Sequence, residues 1–140
     1  MATRADFSDD EWKTLQRGLT GAGMLVSMSD RDLSDSFGEA GAMGKYLSGQ
    51  QMAGSSELIR AIAKTKGTGF GLGTPPDKLL TETLAALRSS VELLGAKAPE
   101  EVEGYRALVL GLSGAVAEAK HGTSAVEAQA EDRIREALGA

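Results

Sequence analysis

Met24-Leu25-Val26-Ser27-Met28-Ser29-Asp30-Arg31-Asp32 leads into Ser36-Phe37-Gly38-Glu39, and Val116-Ala117-Glu118-Ala119-Lys120-His121-Gly122 leads into Ser124-Ala125-Val126-Glu127. Both phrases share one order: an apolar helical stretch, a small polar turn, and a Ser-x-x-Glu capping box that opens the next helix. In such a box the serine oxygen accepts the N3 backbone amide and the glutamate reaches back to the cap amide, so each helix start is encoded locally. Two related helical hairpins are expected. The fold class that follows is all-α, a compact bundle of about six helices with the two hairpins as a pseudo-repeat.

Working outward toward the N-terminus, Ser8 and Glu11 form a third capping box, and Phe7 faces Trp12 as a hydrophobic staple. Trp12, Leu15, Leu19, Ala22 and Val26 then recur at steps of three and four, one apolar stripe of an amphipathic helix. Gly18, Gly21 and Gly23 interrupt it, each at a cost of about 1 kcal/mol relative to Ala. Either the helix breaks near Gly21 or another backbone packs closely there.

Beyond the first turn, a second helix is expected from Phe37 to Leu47, with Phe37, Ala40, Met43 or Gly44, and Leu47 inward. A third runs from Ser56 to about Lys66 with Leu58, Ile59 and Ile62 inward. Gly67-Thr68-Gly69-Phe70-Gly71-Leu72-Gly73-Thr74-Pro75-Pro76 is the conspicuous loop, set between the two halves. The fourth helix starts at the prolines, where a missing amide is harmless, and places Leu80, Leu84, Leu87, Val91 and Leu94 inward before Gly95 as a left-handed cap. The fifth begins near Pro99, carries Val102, Tyr105, Val109, Leu112 and Val116 on one face, and ends at Gly122. The last, Ala125 to Leu138, uses Val126, Ala130, Ile134 and Leu138. No window alternates as a strand does.

With 140 residues, 41% of them hydrophobic and 25% charged, the chain has the size and composition of one globular domain spanning residues 1–140. The aromatic content of 4% leaves the core to aliphatic side chains, which suits packed helices better than a β-sandwich. The net charge of −5 argues against phosphate-backbone binding, so nucleic acid is not an expected partner. The absence of cysteine removes disulfides, thiolate metal sites and thiol nucleophiles. No stretch approaches the ~18 apolar residues of a membrane span, and the polar, acidic N-terminus is unlike a signal peptide, so a cytoplasmic protein is expected.

Few constellations carry chemistry. The Gly67–Gly73 stretch lacks the Gly-Lys-Ser/Thr ending of a phosphate loop and has no strand before it, which leaves a flexible connection or an anion or ligand lid. Glu118 and His121 have the Glu-x-x-His spacing of di-iron bundles, but His121 is the chain's single histidine and its place before Gly122 also suits a helix end. Asp30, Asp32, Asp35 and Glu39 crowd one turn, where oxygen ligands can hold Ca²⁺ or Mg²⁺, although the EF-hand spacing fails and helix-start chemistry explains the same acids. No nucleophile and base pair can be assembled, so no catalytic residue is assigned. Glu100, Glu101, Glu103, Glu131 and Asp132 fall on expected solvent faces.

The two phrases resemble the tellurite-resistance TerB-like family of small helical domains, whose turns commonly read Ala-Asp-Gly-x-x-Ser-x-x-Glu. The first copy here keeps the aspartate, Asp30, with Ser36 and Glu39 but lacks the glycine; the second keeps Gly122, Ser124 and Glu127 and has His121 in the aspartate's place. The resemblance implies an all-α bundle of two pseudo-repeated halves, a stress-associated binding role, and a divalent cation held by acidic turn residues. Carried over by position, the metal candidates are Asp30, Glu39, Glu118 and Glu127. Three readings result: a non-catalytic stress-response protein that binds a partner protein, a divalent-cation-binding protein, and a small-ligand binder or enzyme with a glycine-rich lid.

Overall fold

A computed structural model describes residues 3–29, 36–64, 75–118 and 125–139, and among these the side chains of 3–26, 44–64, 75, 77–117 and 129–139. The described residues form six α-helices and no strand: α1 (Asp9–Ser29), α2 (Ser36–Ala53), α3 (Glu57–Ile62), α4 (Pro76–Lys97), α5 (Val102–Glu118) and α6 (Ala125–Leu138). The all-α bundle expected from the sequence is the fold observed. The turns that carry the repeated phrases, 30–35 and 119–124, lie outside the described residues, as does the 67–74 stretch of the glycine-rich loop. Among the helices, α2 rests mainly on α5, and α6 on α4 and α1.

The start of α1 follows its local code. Ser8 Oγ accepts from the Glu11 amide at 3.1 Å, and Glu11 Oε1 accepts from the Ser8 amide at 2.8 Å, the two halves of a capping box. Phe7 and Trp12 meet with ring centroids 6.1 Å apart. Two cations close over this staple from elsewhere. Arg4 stands 5.0 Å from the Trp12 ring, while Lys97 at the end of α4 lies 5.5 Å from Phe7 and donates to Asp6 O at 3.0 Å and Glu11 Oε1 at 2.8 Å. The Lys97 hydrogen bond first, then the Ser8 amide, holds the Glu11 carboxyl below its ordinary range.

The helix α1 does not break near Gly21; it is continuous to Ser29. Its glycines are explained in part at Gly18, where a methyl group would stand 2.6 Å from Tyr105 Oη and 3.1 Å from Leu87 Cδ2. The missing side chain lets Tyr105 reach from α5 to the α1 backbone, where its hydroxyl donates to Leu15 O at 2.7 Å. Tyr105 is fully buried, and burial pushes its phenol well above the ordinary tyrosine range. One turn away, Ser90 Oγ on α4 donates to Ala86 O at 2.7 Å and to Thr14 O at 3.3 Å. Thr14 opposite Ser90 and Gly18 opposite Leu87 set α1 and α4 antiparallel.

One buried cluster draws on α1, α3, α4, α5 and α6, with Leu15, Leu19, Val26, Ile59, Leu87, Leu94, Val109, Leu112 and Ile134 at its centre. The stripes expected on α1 and α5 are buried from Trp12 to Val26 and from Tyr105 to Val116, with Val102 at the head of the second only partly covered. On α4 the buried line is Leu79, Thr83, Leu87, Ser90 and Leu94, whereas Leu80, Leu84 and Val91 are only partly covered. Contact with α1 turns the helix so that two hydroxyls face inward. Ser90 is hydrogen-bonded; the Thr83 hydroxyl is buried without a partner.

Three helix ends differ from the sequence reading, the first being that of α2, which runs past the expected Leu47 to Ala53. Gly95 does not cap α4, which continues to Lys97 and ends at Ala98, whose amide donates to Leu94 O at 2.7 Å. The left-handed glycine among the described residues is Gly139, at φ +70°, beyond α6. There Arg106 Nε donates to Leu138 O at 2.7 Å and satisfies one of the last carbonyls. The third helix is also shorter than expected. Ser56 is its cap, accepting from the Ile59 amide at 3.1 Å, and it stops at Ile62.

Candidate functional site

Of the four candidate metal ligands, Asp30 lies outside the described residues. Glu39, Glu118 and Glu127 sit by backbone near the start of α2, at the end of α5 and near the start of α6, and their side chains also lie outside the described set. His121 and Gly67–Gly73 lie wholly outside the described residues. Among the described residues no group of three or more His, Asp or Glu side chains is placed to hold a metal ion.

One acidic residue is corrected outright. Glu101, expected on a solvent face, is 5% exposed. Pro99–Glu101 forms a single 3-10 turn ahead of α5, and that turn brings Glu101 inward, where its Oε2 accepts from Ser56 Oγ at 2.6 Å. The carboxylate thereby joins the cap of α3 to the start of α5. Nearby, a methyl group on Gly104 would stand 2.8 Å from Ser55 Oγ and 3.1 Å from Ile59 Cγ1, so the α3 end of the bundle also closes over a glycine. This is a structural junction built from a buried acid and a hydroxyl.

The surface that stands apart is the outer face of α2. Its inner side is fixed by Tyr46, whose ring lies across Gly111 of α5 with Cζ 2.7 Å from where a methyl group on Gly111 would be. Burial raises the Tyr46 phenol above its ordinary range. At its C-terminal end, the Gly54 amide donates to Gln50 O at 2.9 Å, Arg60 donates to Gly54 O at 3.2 Å, and Gln51 Nε2 donates to Ala63 O at 3.3 Å. With that side anchored, Gly44, Lys45, Ser48, Gly49, Met52 and Ala53 face solvent. Gly44 is thus outward, where the sequence allowed it an inward place.

Lys45 is the sole charge from Gly44 to Gly54, in a chain where charged residues make up 25%. Met52 is 86% exposed and is the exposed large hydrophobic residue among those described. Nothing lies within 4 Å of a methyl group built on Gly44 or Gly49. Among the described residues these two glycines meet no packing partner, although each weakens its helix by about 1 kcal/mol relative to Ala. Sequence reading passed over this face because the helix was expected to end at Leu47, so Ser48, Gly49, Met52 and Ala53 were not placed on it. The available signal was the run of eleven uncharged residues from Tyr46 to Ser56.

A shallow groove of about 230 Å³ lies between α1 and α4, lined by Thr14, Arg17, Glu82, Ala85, Ala86 and Ser89. Glu82 pairs there with Lys78 at 4.0 Å. No helix among the described residues is long and apolar enough to cross a membrane. No protein-family model, curated protein or solved structure matches the chain.

Proposed function

We propose that the protein is a non-catalytic helical module that acts by binding a partner protein, with the outer face of α2 as its docking surface. The observation that carries this reading is the exposed face made by Gly44, Lys45, Ser48, Gly49, Met52 and Ala53, which carries a single charge. Exposed methionine is an adaptable apolar contact, and helix-surface glycines allow another backbone to approach closely. The expected stress-response setting rests on the TerB-like resemblance.

A photoreactive residue in place of Ser48, introduced in the native host, tests this directly. Cross-linked adducts are expected from position 48, few from the same residue in place of Glu92 on α4, and none from position 48 once Gly49→Arg blocks the face. Equal adducts at both positions, or adducts indifferent to Gly49→Arg in a protein with unchanged melting, would remove α2 as the docking surface.

A further inference from the structure

We propose that Thr3–Ser8 is an acid-released strap, latched by Glu11 and Lys97, which lifts off Trp12 while the six helices stay folded. Side chains hold the segment down. Among the described residues its backbone hydrogen bonds stay inside it, from Asp6 to Thr3 O and from Phe7 to Arg4 O, except that Ser8 O accepts from the Trp12 amide. Phe7 is its buried ring, and Trp12, 9% exposed, lies against that ring and under Arg4. The polar link to α4 is Lys97, whose Nζ donates to Asp6 O at 3.0 Å.

One oxygen carries the latch. Glu11 Oε1 accepts from the Ser8 amide at 2.8 Å and from Lys97 Nζ at 2.8 Å, so it joins the end of the strap, the first turn of α1 and the last turn of α4. The other charges around the strap are Arg4, Asp6 and Asp9. Arg4 pairs with Asp9 at 2.6 Å and donates to Phe7 O at 3.0 Å, and Asp6 accepts from the Thr3 amide at 2.7 Å, so none of these side chains reaches α4. Protonation of Glu11 ends its attraction for Lys97 and weakens it as an acceptor for Ser8 in one step. Keeping the strap in one conformation costs backbone entropy, and what then remains against that cost is the Phe7 ring, the Arg4 contacts and a neutral acceptor for Lys97. Lys97 first, then the Ser8 amide, hold the Glu11 carboxyl below its ordinary range, so the latch is complete above that range and is lost as pH falls through the folded value. Leu15, Leu19, Leu94 and Val109 pack in the bundle beyond the strap and keep it folded.

Trp12 is the chain's single tryptophan and reports the strap directly. The experiment lowers the pH of the full chain and follows acrylamide quenching of Trp12 beside far-ultraviolet circular dichroism. Quenching is expected to rise about threefold in an acid step that precedes any loss of helix, as local opening comes before global unfolding. Glu11→Ala, which removes the shared oxygen, should show the raised quenching already at neutral pH with no further step; Lys97→Met should do the same from the α4 side. Asp10→Asn, at an exposed acid in the same turn, should keep the parent's profile. Loss of helix together with Trp12 exposure in the parent overturns the strap, as does Trp12 staying shielded in Glu11→Ala. Should Glu11→Ala fail to fold, Lys97→Met decides by the same two readings, and unfolding of both overturns the proposal. A step abolished by Asp10→Asn as well removes Glu11 as the latch.

Discussion

Gly18 and Gly49 both occupy the interior of a helix, and their surroundings are opposite. At Gly18 the space a side chain would fill is taken by Tyr105 Oη and Leu87, so the glycine is the point where α1, α4 and α5 close on one another. At Gly49 that space is open solvent. The same residue, with the same cost to its helix, is spent on packing in one place and on nothing visible within the chain in the other. Neighbouring helices close the α1 seam at Gly18, whereas the α2 face at Gly49 is exposed.

The largest effect expected at the seam comes from Val109→Asp, which puts an unpaired charge on the fully buried face of α5. It should cost more than about 4 kcal/mol and unfold the chain at ordinary temperature, as read by circular dichroism. Gly18→Ala comes next. The helix gains about 1 kcal/mol in propensity, but overpacking against Tyr105 and the strained hydrogen bond to Leu15 O cost about 3, a net loss of about 2 kcal/mol in urea unfolding.

Gly49→Ala should reverse the sign and stabilise by about 1 kcal/mol, raising the melting temperature by roughly 3 °C. If both alanine variants shift melting in the same direction, the contrast between the two helices is broken. Thr83→Val sharpens the α4 side of the seam. Removing a buried hydroxyl that has no partner, without changing shape, should stabilise by up to about 1 kcal/mol.

The smallest effect is the pH dependence at Glu11. Its carboxyl is held below the ordinary range in the folded chain, so its contribution is complete above that range and is lost as pH falls through the folded value. Glu11→Gln should therefore differ from the parent near neutral pH and converge with it in acid. A constant difference in melting temperature across that range would show that the Lys97 contact adds nothing.

Where apolar residues formed a single line, the fold was legible from sequence. Trp12 to Val26 and Tyr105 to Val116 had one possible face each, and both are buried. On α4 there were two neighbouring lines. Leu80, Leu84 and Val91 were the more apolar choice, but contact with α1 selected the line with Thr83 and Ser90; the Ser90 hydroxyl is satisfied by Ala86 O within α4 and by Thr14 O on the packed neighbour α1. Glu101 was missed for the same reason: its partner, Ser56, is 45 residues away. A glycine such as Gly95 reads as a cap in a sequence, and only the course of the following residues decides whether the chain turns there. The exposed face of α2 was legible only as missing charge.

The hydrogen bond from Tyr105 to Leu15 spans 90 residues and that from Lys97 to Asp6 spans 91. On the ribosome, at ~5–20 residues per second, α1 must wait several seconds for α4 and α5 to be made. Until then Trp12, Leu15 and Leu19 have no seam to enter. The long arc of these two bonds makes the newborn N-terminal half the stage at which this chain is most in need of protection from aggregation, well before its finished surface meets any partner.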